Sequence, residues 1–341
     1  MTQQQDFVGK FMDEWDAGAN TFSLTTSGTT GNPKPWILQR SALEWSANST
    51  RQAWLSDLPL HQYCFLPAWK AGGFMQLVRS KVWQQPIEIL EPQSNPLKYI
   101  VPTGGIASFT PMQLASIMED DDSQKNLNRL DAVLIGGQAL STMLEQALIK
   151  TCPHPRFIHT FGSTETASHF AGRILSWGEF SPSRSPSNPS YNSNIDALYR
   201  ATPGTKLRTN PITSQLEVNN PTTNNQWLPT NDLVELLEEG CFKWIGRKDL
   251  IINTGGIKVH IEPLESQISI LTGWPLGSFY IHRKVDPKLG EKIVLKTLHS
   301  VDRDQLDFWL SALPNVQQPK EIEIVNRIPL TETGKIQRNI P

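Results

Sequence analysis

The sequence predicts an α/β protein built in two lobes, and three observations predict it. Over the first half of the 341 residues, short apolar runs alternate with helical stretches, as in a largely parallel sheet layered with helices. Residues 203–218 and 232–236 then alternate like antiparallel strands and add a β subdomain. After Asp249 the pattern changes again, to a compact mixture of strands and helices. The expected division is a large α/β lobe with its β subdomain over residues 1–248 and a small α+β lobe over 249–341, each within the usual range of domain sizes.

The elements follow in order. Phe7, Phe11 and Trp15 recur at i, i+4, i+8 and predict a helix within residues 1–20, broken at Asp16-Ala17-Gly18. Residues 21–25 alternate as a strand. They run into Thr26-Ser27-Gly28-Thr29-Thr30-Gly31-Asn32-Pro33-Lys34, whose glycines and hydroxyls stop either regular structure. A helix is expected over 41–55. Strands at 63–66, 87–90, 107–109, 132–135 and 157–160 alternate with helices at 111–118 and 143–150. Residues 178–194, rich in Ser, Pro and Asn, read as a surface excursion. Beyond 249, helices at 263–271 and 302–311 accompany strands at 278–282 and 292–297.

Composition narrows the function. A net charge of −2 and a pI near 6.4 give no global attraction for nucleic acid or an anionic membrane, so any anionic ligand is held locally. No apolar run approaches the ~18 residues of a membrane span, and the N-terminal residues carry neither a basic leader nor an apolar stretch. A soluble, cytoplasmic protein is expected. Cys64, Cys152 and Cys241 stand far apart, which fits a reducing compartment and no structural disulfide. The oligomeric state stays open, a homo-oligomer included.

The loop from Thr26 to Lys34 offers backbone N–H groups, hydroxyls and an ammonium, the ingredients of a phosphate cradle. It is not a Walker A loop, because Asn32-Pro33 separates Gly31 from Lys34. With this loop, four segments resemble the adenylate-forming superfamily of acyl- and aryl-CoA synthetases, in the same order. They are Phe161-Gly162-Ser163-Thr164-Glu165-Thr166, Thr230-Asn231-Asp232, residues 246–259, and Thr333-Gly334-Lys335-Ile336-Gln337-Arg338. The short o-succinylbenzoate-CoA ligases of menaquinone synthesis are also similar at Gly136-Gly137-Gln138, at residues 166–173, at 231–235 and at 242–247. Only about 25 residues precede the phosphate loop, so the resemblance implies an adenylate-forming fold with a trimmed N-terminal subdomain.

The resemblance implies ATP, Mg²⁺ and coenzyme A acting with a small carboxylic acid. Thr26, Ser27, Gly28, Thr29, Thr30, Gly31 and Lys34 would hold phosphates. Phe161 would stack near adenine, Gly162, Gly137 and Gln138 would also belong to the cofactor site, and Asp232 and Arg247 would take the ribose hydroxyls. Thr164 would reach the α-phosphate and Glu165 the Mg²⁺, a hard cation suited to carboxylate and phosphate oxygens. By themselves these residues also read as a helix cap and a surface ion pair.

Lys335 would join the two anions in the first half-reaction. Like charges ~4 Å apart repel by ~4 kcal/mol at an effective dielectric of 20, which an ammonium offsets. Asp249 would be the hinge of the small lobe, and Gly255, Gly256 and Lys258 would serve the CoA step. Gly255-Gly256 alone also reads as a tight turn. Lys70 stands where many relatives carry a histidine. It reads either as a cation for a second substrate carboxylate, with Ser168, His169 and Arg173, or as a lobe-surface lysine. The expected activity is conversion of o-succinylbenzoate to its CoA thioester. A ligase for another acid and a non-catalytic nucleotide-binding homologue are the alternatives.

Overall fold

An eleven-stranded sheet carries most of the chain, with its strands in the spatial order Lys206–Thr209, Gln215–Asn219, Leu228–Leu236, Cys241–Arg247, Tyr199–Ala201, His169–Ser176, Arg156–Gly162, Ala132–Ile135, Ile106–Phe109, Gln62–Cys64 and Ile87–Ile89. The structure, a computed structural model, describes residues 2–25, 35–59, 61–176, 198–300, 302–330 and 336–338. The last five strands of that order run parallel and the others pair antiparallel, so Arg156–Gly162 is the strand at which the sheet changes sense.

The parallel half is covered on both faces, which is why Ala132–Ile135 reads as an unbroken apolar run, Ile106–Phe109 is apolar but for Ser108, and both strands are buried throughout. Their side chains sort by the two-residue period. Ile106, Ala132, Leu134 and Ile158 join a core with the helices Gln3–Asp16, Arg40–Thr50 and Ala71–Trp83. Ala107, Val133, Ile135 and Phe157 join one with Pro111–Met118, Asp121–Leu127 and Thr142–Thr151.

Local signals set the helix starts. Thr2 caps the first helix in a reciprocal capping box with Gln5, and Thr110 does the same with Gln113 ahead of Pro111. Phe11 of the first helix meets the Phe22 and Phe74 rings at 5.5 and 5.3 Å, tying that helix to the strand Thr21–Thr25 and the helix Ala71–Trp83.

The small sheet runs Ile257–His260, Ile251–Thr254, Gly290–Thr297, Phe279–Asp286, and Glu321–Ile324 pairs parallel to Gly290–Thr297. Ile252, Val259, Ile281 and Leu295 bury against Leu264 and Ile268 of the helix Ile261–Thr272 and Leu306 and Leu310 of Arg303–Leu310. The 3₁₀ turn Lys248–Leu250 joins the last strand of this part of the large sheet to the first of the small one. His260 lies against Gly246, where an added Cβ would sit 2.8 Å from the imidazole Nδ1.

The elements read from the sequence are present with ends shifted by a few residues. Three arrangements differ from that reading. The antiparallel strands continue the parallel sheet edge to edge. The helix Ala71–Trp83 opens on Ala-Gly-Gly, a poor start by propensity, and forms because most of its length is buried. His169–Ser176 is a full strand, paired with Arg156–Gly162. The excursion expected at 178–194 lies outside the described residues. Among the described residues no helix is long and apolar enough to cross a membrane.

Candidate active site

Strand pairing brings Thr25 opposite Pro35. The residues expected to cradle phosphate between them, Thr26, Ser27, Gly28, Thr29, Thr30, Gly31 and Lys34, lie outside the described residues, as does Lys335.

Several of the expected site residues follow the carboxyl ends of parallel strands, the side of an open α/β sheet on which ligands gather. Gly137 and Gln138 follow the strand Ala132–Ile135, and Ser163, Thr164 and Glu165 follow its neighbour Arg156–Gly162. Gly162 is required by crowding, since a Cβ there would come within 2.2 Å of the Ser168 carbonyl oxygen. The 3₁₀ turn Thr164–Thr166 is held by the Thr166 hydroxyl, which accepts from the Ser163 N–H at 3.1 Å. Ala167 then takes φ +60°, and the Ser168 N–H closes a tight turn onto the Thr166 carbonyl.

Glu165 is half-buried and has no hydrogen-bond partner among the described residues. No group of three metal-binding side chains occurs among them either. One open carboxylate fits Mg²⁺, which usually takes one or two protein carboxylates and completes its shell with water and substrate phosphate.

Phe161 packs against Tyr199 and Phe242 with ring centroids 5.0 and 5.2 Å away. Below it, His159 Nε2 donates to the Gln138 carbonyl at 3.3 Å, and His159 Nδ1 meets the Tyr199 hydroxyl at 2.9 Å. Burial pushes the His159 pKa down to about 3, with help from the Arg173 charge, so this ring is neutral. Asp232 and Arg247 face each other across adjacent strands. Trp244 Nε1 donates to Asp232 Oδ1 at 3.1 Å, and Arg247 makes a two-point ion pair with Asp249.

At the junction with the small sheet, Glu262 is half-buried, with its Oε2 enclosed, near the charges of Arg338, Glu265, Arg247 and Asp232. Burial pushes its pKa up to about 7, with Arg338 pulling the other way. Gly255 and Gly256, at φ +58° and +80°, form the two-residue turn of the hairpin Ile251–Thr254/Ile257–His260. They and Lys258 are exposed.

The four residues expected at the acid are not all brought together. Arg173 is half-buried in a two-point ion pair with Glu145, on the side of the sheet that holds His159 and Tyr199. A register shift between Phe161 and Gly162 separates it from His169 along the strand. Lys70 immediately precedes the helix Ala71–Trp83. The guanidinium that reaches Ser168 is instead that of Arg79, about 13 Å further along the helix axis.

Arg79 is 2 % exposed, donates from Nη2 to Ser168 Oγ at 3.2 Å, leaves Nε without a partner and has no carboxylate beside it among the described residues. Burial pushes its pKa down to about 10, which leaves it charged at neutral pH. The signal available in the sequence was one arginine inside an otherwise mostly apolar helix, and periodicity does not distinguish that from a snorkelling surface residue.

Fold and site define the class: the chain belongs to the AMP-binding enzyme family, whose model matches residues 9–195. Its fold is that of the adenylate-forming acid–CoA ligases. More particularly, it is similar to the 2-succinylbenzoate–CoA ligase of Listeria monocytogenes, with 24% identity covering 96% of this chain and 71% of that protein. The crystal structure of an acyl-CoA synthetase (AMP-forming)/AMP-acid ligase II-like protein from Dyadobacter fermentans matches with 29% identity and a TM-score of 0.62, over 98% of this chain and 92% of that one. The o-succinylbenzoate CoA synthetase of Bacillus subtilis, solved with its acyl-adenylate intermediate, matches with a TM-score of 0.73 at 18% identity, over 93% and 68%.

Proposed function

We propose that the protein activates 2-succinylbenzoate with ATP and transfers the acyl group to coenzyme A, as a step of menaquinone biosynthesis. In the first half-reaction a carboxylate oxygen of the acid attacks the α-phosphorus and pyrophosphate leaves. In the second, the CoA thiol loses its proton to solvent, sulfur attacks the acyl carbonyl and AMP leaves. A thiol of pKa near ~8.5 and a phosphate leaving group need positioning more than a dedicated base.

In this reading the loop from Thr26 to Lys34 cradles the phosphates, and Phe161, Gly162, Gly137 and Gln138 border the adenine. Asp232 and Arg247 bind the ribose, and Thr164 binds the α-phosphate. Mg²⁺ at Glu165 would neutralise phosphate charge. Lys335 bridges the acid and the α-phosphate. Residues 1–248 and 249–341 act as two lobes pivoting at Asp249, and Gly255, Gly256 and Lys258 serve the thioester step.

The observation that carries the choice of acid is Arg79. A buried guanidinium without a counter-charge is costly, and a substrate bearing a second carboxylate beyond the reacting one would supply the missing partner. The experiment is a thioester assay with ATP, CoA and a panel of 2-succinylbenzoate, benzoate and a medium-chain fatty acid. Turnover of 2-succinylbenzoate with kcat/KM well above the two monocarboxylates is the expected result. Turnover of benzoate without 2-succinylbenzoate rejects the assignment.

A further inference from the structure

Four side chains between the helices Arg40–Thr50 and Ala71–Trp83 and the strand His169–Ser176 form a hydrogen-bond chain whose direction is fixed by one atom. Thr50 Oγ1 lies 2.9 Å from the Ser46 carbonyl oxygen, which only accepts, so the single hydroxyl hydrogen of Thr50 is committed there. Thr50 Oγ1 also lies 2.8 Å from His169 Nε2 and can take part in that contact only as acceptor. Nε2 therefore carries the hydrogen.

Burial and the neighbouring Arg79 charge hold the His169 pKa well below the ordinary imidazole value, so the ring is neutral and its Nδ1 is an acceptor. Ser168 Oγ lies 3.3 Å from that Nδ1 and donates to it. The serine oxygen then has its lone pairs turned to Arg79 Nη2 at 3.2 Å. The Trp54 ring, 5.2 Å from the imidazole centroid, packs against it and restrains its rotation. From guanidinium to main-chain carbonyl, every hydrogen points the same way.

We infer that His169 is a positioning residue for acid recognition: held by Thr50 as the Nε2-protonated tautomer, it orients the Ser168 hydroxyl so that Arg79 is anchored by one nitrogen and presents its remaining N–H groups to the distal carboxylate. The inference rests on the proposed use of a dicarboxylic acid. Without the chain, the hydroxyl of Ser168 would be free to turn, and Arg79 would lose the side-chain acceptor that fixes it among the described residues.

The test uses the full-length enzyme with ¹⁵N-labelled histidine and the variants Thr50→Val and Thr50→Ser. Side-chain ¹⁵N spectra of the ligand-free enzyme are expected to show His169 as the Nε2–H tautomer, and Thr50→Val, which keeps the shape and removes the acceptor, should lose that preference while Thr50→Ser retains it. In steady state, Thr50→Val should raise KM for 2-succinylbenzoate about tenfold with kcat within about twofold, leave KM for ATP unchanged, and be rescued in Thr50→Ser. An Nδ1–H tautomer in the wild type overturns the inference whatever the acid, as does an equal rise of KM for ATP and acid in Thr50→Val. If the tautomer is as stated and 2-succinylbenzoate is not a substrate, the hydrogen-bond chain stands and the choice of acid falls.

Discussion

Arg247 holds Asp249 through two hydrogen bonds, Nε to Oδ1 at 3.0 Å and Nη2 to Oδ2 at 3.1 Å. The guanidinium proposed to bind ribose is thus held by the residue proposed as the pivot in this arrangement. Ribose hydroxyls reaching Arg247 compete with the Asp249 carboxylate for its donors. Both side chains are about one-third exposed, so the pair contributes only about 0–1 kcal/mol to stability. Replacing Arg247 by lysine keeps the charge and removes the planar fork. KM for ATP should rise about tenfold with a melting shift of no more than a few degrees, measured by steady-state kinetics and calorimetry.

Proline at 249 tests the pivot directly. Asp249 lies in the 3₁₀ turn between the two sheets, and a pyrrolidine ring would fix φ there. ATP–pyrophosphate exchange in Asp249→Pro should stay within a few-fold of wild type, while thioester formation falls by about tenfold or more. A normal rate in the second half-reaction would show that rotation about this residue is not needed.

Lys335→Ala separates the half-reactions in the opposite sense. Loss of the ammonium that offsets repulsion between acid and phosphate should remove adenylate formation by about a thousandfold. Thioester formation from supplied acyl-adenylate should be spared. Equal loss in both halves would contradict the role.

Arg79→Met is expected to trade function for stability. Replacing a buried charge that has no carboxylate beside it among the described residues by an apolar side chain of similar length should raise stability by about 1–3 kcal/mol, seen as a melting temperature higher by a few degrees. The same change should raise KM for 2-succinylbenzoate by about a hundredfold and leave benzoate little affected. A variant that is less stable and weakened toward both acids would point to a purely structural arginine.

Glu262 sets a pH dependence whose sign follows from its raised pKa. With the folded value near 7 and the unfolded value near 4.5, the native state holds an extra proton between the two. Its contribution to stability therefore declines as pH rises from 4.5 to 7, by up to about 3 kcal/mol, and changes little beyond. Glu262→Gln should flatten that decline and be more stable than wild type above pH 7. Urea titrations at pH 5, 6, 7 and 8 measure it.

Much of the fold was legible because its elements carry their own signals. Phe7, Phe11 and Trp15 mark one helix face, Thr110-Pro111 starts another, and Ala132 to Ile135 is apolar on both sides as a doubly covered strand must be. The strand His169–Ser176 was hidden because its residues also look like part of a motif. The helix Ala71–Trp83 was hidden because two glycines near its start weaken the local preference that burial overrides.

The sequence by itself determined the family-bearing residues, most of the elements in their order along the chain and the position of the Lys248–Leu250 turn, since each depends on residues close in sequence. Only the tertiary structure decided which cation meets Ser168 and which does not. Arg173 and His169 are four residues apart on one strand, yet a bulge and the pairing of Arg173 with Glu145 send them to different surroundings. Arg79 and Ser168 are far apart in the chain and lie 3.2 Å apart in the fold. Whether a charge is neutralised depends on what is packed beside it through long-range contacts, and no local pattern of residues encodes that.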